Sequence, residues 1–284
     1  SRGLGDVYKR QAHEQRIEPY EVVDFSANIN PLGPSQRGLD ALNAQLRYIS
    51  HYPDATNDDV LNAIADTYGM DKHQIIVGNG AAELLYAICR LPGYTGAFVP
   101  APGFSEYKEA LEASKIPVRD IFYRPREDDN GQPYFEVPYL ALETFAAELK
   151  GQDGRIIVFL GNPNNPDGTL LDKDHIRTVA SMLKDANSLL VIDESFIDFV
   201  GNDPLQDNEH SMRSLVNEFD NIIVVHSFTK FYAVPGLRIG AAFANETLIT
   251  QLQQYIPSWS VNTLAQAYTC LLYTSPSPRD RQKS

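Results

Sequence analysis

The chain contains few cysteines and histidines, the residues that form disulfides and zinc sites. It has two cysteines among 284 residues, Cys89 and Cys270, and neither has metal-ligand spacing to the other or to the six histidines. We therefore expect no disulfide framework, no metal centre and a reducing cytoplasmic location. No apolar run approaches the length of a membrane span, and the N-terminal residues contain no signal-peptide core, so we expect no membrane partner.

Basic residues are also scarce. The chain has 24 Lys and Arg against 37 Asp and Glu, a formal net charge of −13. Such a surface repels phosphodiester backbones, so we expect no nucleic-acid partner. The apolar content of 43% is enough for a substantial core in one large domain.

The two ends of the chain differ in composition from the rest. The segments "SRGLGDVYKRQ" (1–11) and "LLYTSPSPRDRQKS" (271–284) show no periodicity and are typical of translated flanking sequence. We therefore expect both to be non-native, and we expect the natural protein to continue into a further domain. Neither segment is used to predict the fold.

Between these ends, short Val/Ile/Leu-rich runs alternate with amphipathic patterns. Amphipathic patterns predict helices at 81–91, 105–114 and 172–186. The apolar runs predict strands at 75–78, 96–100, 118–123, 155–161, 189–195 and 221–227. Continuous apolar strands are buried on both faces, so the sequence predicts an α/β fold with a mostly parallel central sheet and helices on both faces.

Polar and glycine-bearing clusters follow the predicted strands. Ligands of parallel sheets bind at the carboxyl ends of the strands, so we expect these clusters to form one site. The clusters are 78–83, 100–107, 161–168, 193–196 and 227–230.

Three of the clusters suggest specific chemistry, each with a plain structural alternative. Gly78-Asn79-Gly80 opens into a helix, which favours a phosphate but is also an ordinary strand–helix turn. Asp193 ends the run "LLVID", where a carboxylate needs either a salt bridge or a cationic group of a ligand. Lys230 follows "NIIVV" and is either a surface lysine or an amine made nucleophilic by burial.

Two neighbours of Lys230 extend this pattern. Arg238 offers a planar fork suited to phosphate, and Ser227 can bind the same anion; a structural arginine and a capping serine are the alternatives. A phosphate cradle, an acid for a ring nitrogen and an amine for an aldehyde are the attachment points of pyridoxal 5'-phosphate (PLP). The residues therefore favour PLP as the cofactor.

The motifs also resemble those of a known family. "S-x-x-K" followed eight residues later by Arg, with "NNPxG" and "DE" upstream, resembles the class I/II (fold-type I) aminotransferases over residues 22–268. Within the family, the segments "DFSANINPLGP", "YPD", "GNGAAE", "PGFSEY", "DESFIDF" and "PSWSVN" are most similar to the threonine-phosphate decarboxylase branch. Histidinol-phosphate aminotransferases are the near neighbours.

The resemblance implies a role for each matching residue. Lys230 would be the Schiff-base lysine and proton carrier, and Asp193 would pair with the ring nitrogen. Asn165 would bind the ring's phenolic oxygen, and Phe104 would stack on the ring. The implied phosphate ligands are Ser227, Arg238 and the amides of Gly80, Ala81 and Ala82.

The same resemblance implies a subunit contact and a division into domains. Tyr52 would reach the phosphate of a neighbouring subunit in a homodimer, and Asn30, Leu32 and Gly33 would lie along the substrate. The expected division is an N-terminal arm with substrate loop at 12–46, a PLP-binding large domain at 47–260, and the start of a linker helix at 261–270. A C-terminal small domain would follow in the natural protein.

Two departures from the family pattern bear on the reaction. Asp167 stands where threonine is usual, which we expect to affect only a turn. Phe196 stands where many aminotransferases have tyrosine, and with Trp259 and Ser260 it favours decarboxylation of a phosphorylated amino acid, L-threonine O-3-phosphate. Transamination of histidinol phosphate and a non-catalytic binding module are the alternatives.

Overall fold

The computed structural model describes residues 13–16, 27–149, 154–201 and 208–274. Seven strands form the central sheet in the order β1-β9-β8-β7-β6-β2-β3, and β4 and β5 form a separate antiparallel pair. The strands are β1 Ile75–Gly78, β2 Tyr94–Ala101, β3 Val118–Phe122, β4 Arg124–Glu127, β5 Pro133–Glu136, β6 Arg155–Gly161, β7 Leu189–Asp193, β8 Ile222–Ser227 and β9 Gly240–Phe243.

The strand directions confirm the predicted fold class. Neighbours among β2, β3, β6, β7 and β8 pair parallel, whereas β9 pairs antiparallel with both β1 and β8. The sequence analysis did not predict β9, because "GAAF" is short and made mostly of small residues. All four of its residues are buried, with Ala241 and Phe243 in the core on one face of the sheet and Ala242 in the core on the other.

Helices cover both faces of the sheet. Their bounds are α1 Gln36–Gln45, α2 Asp58–Tyr68, α3 Gly80–Ile88, α4 Glu106–Ala113, α5 Tyr139–Leu149, α6 Lys173–Asp185, α7 Glu246–Gln253 and α8 Thr263–Thr274. The start of α6 shows the local cause of one boundary: the Asp172 side chain accepts hydrogen bonds from the backbone N–H groups of Asp174 and His175.

Alternate residues of each central strand pack into two separate cores. In β7, Leu190 and Ile192 face the core formed with α2, α5, α6 and α8, whereas Val191 faces the core formed with α3, α4 and α7. Each fully buried side chain of this size contributes about 1.5–3 kcal/mol relative to exposure. Burial on both faces explains why these strands are continuously apolar.

Strand register brings the predicted site residues to one edge. Gly240 pairs with Gly78 of β1 on one side and with Ser227 of β8 on the other. Asp193 pairs with Gly161 of β6 and with Val225 of β8. The loops that follow β1, β6, β7 and β8 therefore leave the sheet at neighbouring points.

The predicted flanking segments lie mostly outside the described residues, which begin at 13 and end at 274. Helix α8, however, runs through the predicted boundary at 270/271. Ala265, Tyr268 and Leu272 lie on one face of it and are buried in the core, so the helix continues with the same packing.

The described residues contain neither a membrane-spanning helix nor a cluster of metal-ligating side chains. No helix in that part of the chain has the length and apolarity to cross a bilayer. The same residues contain no group of three or more His, Cys, Asp or Glu side chains placed to hold a metal ion.

Candidate active site

Lys230 follows β8 and lies in a narrow pocket at the carboxyl edge of the sheet. This pocket brings four predicted residues together: Lys230, Asp193, Asn165 and Phe104. The other lining residues are Tyr107, Pro163, Ser195 and Phe196. Side chains that the sequence analysis expects to form one site therefore meet in this pocket.

The surroundings of the Lys230 amine favour its neutral form. Burial lowers the pKa of Lys230 below its ordinary value of 10.5, the nearby negative charge of Asp193 opposes this, and the positive charge of Arg238 adds to it. A neutral amine is the nucleophilic form. The pocket therefore holds a lysine suited to attack an aldehyde.

Asp193 has a fixed orientation in the same pocket. It is buried, its Oδ2 accepts a hydrogen bond from the Tyr107 hydroxyl at 2.9 Å, and its Oδ1 accepts one from the Ser195 N–H at 2.9 Å. Among the ion pairs between described residues, none within 4.0 Å includes Asp193. The structural salt bridge considered for this residue is therefore not formed within the described chain.

A cradle for an anion lies at the start of α3. Gly80 has φ of +80°, and a Cβ atom on it would lie 2.8 Å from the guanidinium carbon of Arg238. A Cβ atom on Gly240 would lie 2.6 Å from the backbone nitrogen of Ala81. The two glycines thus let Arg238 and the first amides of α3 converge, where the helix dipole also favours negative charge.

Two hydroxyl groups lie at the end of β8 beside this cradle. Ser227 is buried and paired with Gly240, and its Oγ lies 2.8 Å from Oγ1 of Thr229, which is also buried. Arg238 itself has φ of +56° and donates to the carbonyl of Pro235 at 3.3 Å. A non-glycine residue in this conformation costs free energy, and such strain is common at functional sites.

A wider cavity of about 350 Å³ opens beside the Lys230 pocket. It shares Pro163, Asn165 and Phe196 with that pocket, and Phe199 extends its apolar wall. None of its described lining residues is Lys or Arg; the remaining ones are Asn28, Ile29, Asn164, Pro166 and Gly168.

Asn30 joins the N-terminal arm to the segment that carries Lys230, and its contact with substrate stays a prediction. Its Nδ2 donates to the carbonyl of Phe231 at 2.9 Å, its backbone N–H donates to the carbonyl of Lys230 at 3.1 Å, and its Oδ1 accepts from the Leu32 N–H at 3.0 Å. Asn30 therefore anchors the N-terminal arm to the lysine segment instead of lining the cavity.

The other two predicted substrate residues also lie outside the cavity lining. Leu32 is 71% exposed, and Gly33 is a turn residue with φ of +75°. The arm instead contributes Asn28 and Ile29 to the cavity wall. Contact of Leu32 or Gly33 with substrate stays a prediction.

Tyr52 lies on the surface of its own subunit. Its side chain is 81% exposed, and its ring centroid is 5.0 Å from that of Trp259. It does not line the Lys230 pocket of its own chain, and its predicted role in a neighbouring subunit stays a prediction.

A sequence profile described as "Aminotransferase class I and II" matches residues 20–276. The chain belongs to this family. The match includes every predicted site residue, and it confirms the resemblance found in the motifs.

Curated relatives of this aminotransferase-family chain include both predicted branches. It is 35% identical over 248 residues to the adenosylcobalamin biosynthesis bifunctional protein CobDQ of Leptospira interrogans. It is 33% identical over 255 residues to the threonine-phosphate decarboxylase of Salmonella typhimurium, and 29% identical over 262 residues to histidinol-phosphate aminotransferase 2 of Pseudomonas aeruginosa.

These alignments span most of this chain but less of the relatives. They cover 87%, 88% and 91% of the chain, but 26%, 64% and 66% of the respective relatives. The chain thus spans about two thirds, or less, of the length of these proteins.

Solved structures agree with the fold. L-threonine-O-3-phosphate decarboxylase from Porphyromonas gingivalis superposes with a TM-score of 0.71 at 25% identity, covering 89% of this chain and 69% of that one. Histidinol-phosphate aminotransferase from Clostridium acetobutylicum gives 0.75 at 23% identity, covering 89% and 70%. Because the identity to this second protein is only 23%, the comparison with it supports the fold alone.

PLP is the cofactor expected of this aminotransferase family, and the described residues fit it. The fit rests on a buried carboxylate that forms no ion pair within 4.0 Å among them, a lysine of lowered pKa, and a glycine-lined cradle with an arginine and two hydroxyls. Asp193 would hold the ring nitrogen, Lys230 the aldehyde carbon, and Arg238 with Ser227 the phosphate.

Sequence reasoning missed several residues of the site. Tyr107 stands inside the quoted motif "PGFSEY" and Thr229 inside the cluster 227–230, and their polar groups next to predicted buried strands were the available signal. Glu194 is a buried structural residue, whose carboxylate accepts from Ser211 Oγ at 2.6 Å and from the Met212 N–H at 2.6 Å.

Asp167, which stands where threonine is usual, lies in a turn. Its Oδ1 accepts hydrogen bonds from the Thr169 N–H at 3.1 Å and from Asn164 Nδ2 at 3.0 Å. These are contacts of a side chain that closes a turn, as expected for aspartate in place of threonine.

Proposed function

We propose that this chain forms the cofactor-binding part of a PLP enzyme that releases CO2 from L-threonine O-3-phosphate. The product, aminopropanol phosphate, would serve the cobalamin side chain. The observation that carries the proposal is the Lys230 pocket with Phe196 in its wall, where the aromatic side chain has no hydroxyl to bind the cofactor ring. The 35% and 33% identities to a cobalamin-biosynthesis protein and a threonine-phosphate decarboxylase support it.

The chain's own residues have distinct tasks in this reaction. When bound, PLP supplies a protonated conjugated ring that accepts the electron pair released when a bond to the substrate's α-carbon breaks. The Asp193 carboxylate, held by Tyr107 and Ser195, keeps the positive charge at the ring nitrogen. Because its pKa is lowered, the Lys230 amine is suited to return a proton to the α-carbon.

The cavity walls contribute orientation and exclusion of water. Phe196 and Phe199 form an apolar side beside the Lys230 pocket, and Asn165 lies where the two spaces meet. No described lining residue of the wider cavity is cationic. We therefore propose that the substrate's phosphate is bound by cationic side chains other than these lining residues.

The test is a comparison of two reactions by the protein extended to the length of its relatives. Supplied with PLP and O-phosphothreonine, it should release CO2 and form aminopropanol phosphate. Supplied with histidinol phosphate and 2-oxoglutarate, it should form little glutamate. Efficient glutamate formation without CO2 release would overturn the proposal.

Transamination of histidinol phosphate is the second candidate. The observation in its favour is a set of relatives named histidinol-phosphate aminotransferase. They are 27–29% identical to this chain, and each aligns with most of it. The same assay decides between the two, because only transamination transfers nitrogen to 2-oxoglutarate.

Absorption spectroscopy distinguishes a PLP enzyme from a non-catalytic binding module with the same fold. A chain that keeps PLP covalently on Lys230 should show a visible absorption band that Lys230→Ala abolishes. Borohydride reduction should fix the cofactor to the parent chain but not to the variant. Reversible binding that is equal in both chains would favour the binding module.

A further inference from the structure

We propose that Tyr107 is the residue that positions Asp193 for the cofactor, so that its hydroxyl determines how tightly PLP is held. This inference rests on the proposed function only in assuming PLP as the cofactor. It holds equally for decarboxylation and for transamination, because both need the ring nitrogen paired with Asp193.

The first support is the geometry at the carboxylate. Tyr107 donates to Oδ2 of Asp193 at 2.9 Å, and the Ser195 N–H donates to Oδ1 at the same distance. Ser195 follows Asp193 by two residues and moves with the same turn, whereas Tyr107 is 86 residues away in sequence. Of these two donors, which are the hydrogen-bond partners of the carboxylate among the described residues, the tyrosine is the one that ties it to another element of the fold.

The second support is the state of the phenol. Tyr107 is 2% exposed, and burial together with the negative charge of Asp193 raises the pKa of its hydroxyl well above the ordinary value. The hydroxyl is therefore a neutral donor at neutral pH. A hydrogen bond from a buried neutral donor to a carboxylate is among the stronger kinds.

The third support is the packing that holds the tyrosine ring. It stacks on Phe159 of β6 with centroids 5.2 Å apart and an interplanar angle of 16°, and it meets Phe104 edge to face at 5.6 Å. Phe104 is the residue expected to stack on the cofactor ring. One rigid side chain thus sets the position of both the acid and the stacking ring.

The experiment compares Tyr107→Phe with the parent chain. We expect Tyr107→Phe to weaken PLP binding by about tenfold or more, since it removes a hydrogen bond to a charged group while keeping the ring. PLP dissociation constants come from absorbance titration of cofactor-free protein. Thermal unfolding of the cofactor-free chains reports separately on the fold.

Tyr123→Phe is the matched control. Tyr123 is also buried, at 4% exposure, and its hydroxyl has no partner among the described residues. Its removal should leave PLP affinity within about twofold of the parent value, because no hydrogen bond is lost. An equal loss of affinity in both variants would overturn the inference.

A double-variant cycle separates positioning from a purely structural role. If Tyr107 acts through Asp193, adding Tyr107→Phe to Asp193→Asn should change PLP affinity by less than about threefold, because coupled residues are not additive. If Tyr107→Phe has its full effect in a chain that already carries Asp193→Asn, the tyrosine acts elsewhere and the inference is overturned.

Two further outcomes are decisive. If the parent chain binds no PLP, the proposed function and this inference both fail; if the parent binds it and Tyr107→Phe binds it equally well, only the inference fails. If Tyr107→Phe does not fold, Tyr107→His, which keeps a ring donor, should bind PLP more tightly than Tyr107→Leu. Equal affinities of that pair would overturn the inference.

Discussion

The guanidinium carbon of Arg238 lies 2.8 Å from the position that a Cβ atom on Gly80 would occupy. The two residues are brought together by the pairing of Gly78 with Gly240 across β1 and β9. Glycine at position 80 therefore serves two purposes: it allows a φ of +80°, and it leaves room for an arginine beside the first amides of α3.

Gly80→Ala should weaken PLP binding by about tenfold or more, because the new methyl displaces a guanidinium that makes charge-assisted hydrogen bonds to phosphate. Gly69→Ala is the control, since Gly69 has φ of +62° but nothing within 4 Å of its Cβ position. Both variants should lose about 1–2 kcal/mol of stability from backbone strain. Absorbance titration with PLP should show weaker binding by Gly80→Ala than by Gly69→Ala. Equal PLP affinities of the two variants would show that Gly80 and Arg238 do not form a phosphate site.

Lys230→Met should stabilise the cofactor-free protein at neutral pH. The folded-state pKa of Lys230 lies below its unfolded value, so the unfolded chain binds more protons and the charged amine opposes folding. This penalty is fully present below the folded pKa and is lost as the pH rises from there to about 10.5. The advantage of the variant in urea unfolding should shrink over that window.

Lys184→Met is the control for the loss of one positive charge, because Lys184 is half exposed and pairs with Asp220 on the surface. A stability difference for Lys230→Met that is the same at pH 7 and above pH 10.5 would show that packing, not charge, is responsible.

Asn30→Ala should destabilise the chain by about 1–3 kcal/mol, since the carbonyl of Phe231 loses its partner beside the lysine segment. Asn28→Ala, which alters the cavity wall, is the comparison. We expect Asn30→Ala to lower the midpoint of urea unfolding and Asn28→Ala to leave it nearly unchanged. Equal midpoints would show that the arm is not anchored through Asn30.

Removing one partner of a buried pair behind the site should strongly destabilise the chain. His226 Nε2 lies 3.1 Å from Asp198 Oδ2, and both side chains are almost fully buried. His226→Phe should cost about 3–5 kcal/mol, because it leaves the Asp198 carboxylate buried without that partner, and the further change Asp198→Leu should recover much of the loss.

His175 provides the exposed comparison for this pair. It lies 3.2 Å from Glu143 at a partly exposed position, so His175→Phe should cost less than about 1 kcal/mol. Denaturant unfolding measures all the variants. A loss for His226→Phe no larger than for His175→Phe would contradict the role assigned to the buried pair.

The predicted homodimer is testable by complementation. If Tyr52 reaches the phosphate of a neighbouring subunit, Tyr52→Ala and Lys230→Ala should each be inactive in the extended protein, and mixed subunits should regain part of the activity. In a mixed dimer, one of the two sites receives the intact Tyr52 and the intact Lys230. No recovery from mixtures that sedimentation shows to contain mixed dimers would contradict the prediction.

The sequence by itself determined the layers of the fold and the chemistry of the site. Strands buried on both faces must be apolar, so a charged residue at the end of one, such as Asp193, can be recognised in the sequence. Because parallel strands end at one edge, their polar clusters were predictable as one pocket. The ends of β1 and β6 could also be predicted, because the apolar run of each strand ends at a glycine.

Only the tertiary structure decided which residues meet in that pocket and around it. The Tyr107–Asp193 bond joins residues 86 positions apart, and the Asn30–Phe231 bond joins residues 201 apart. The close approach of Arg238 to Gly80 likewise depends on β9, whose small residues gave no strand signal. Such contacts follow from strand order and register, and these are set by the packing of the whole sheet rather than by any local pattern of residues.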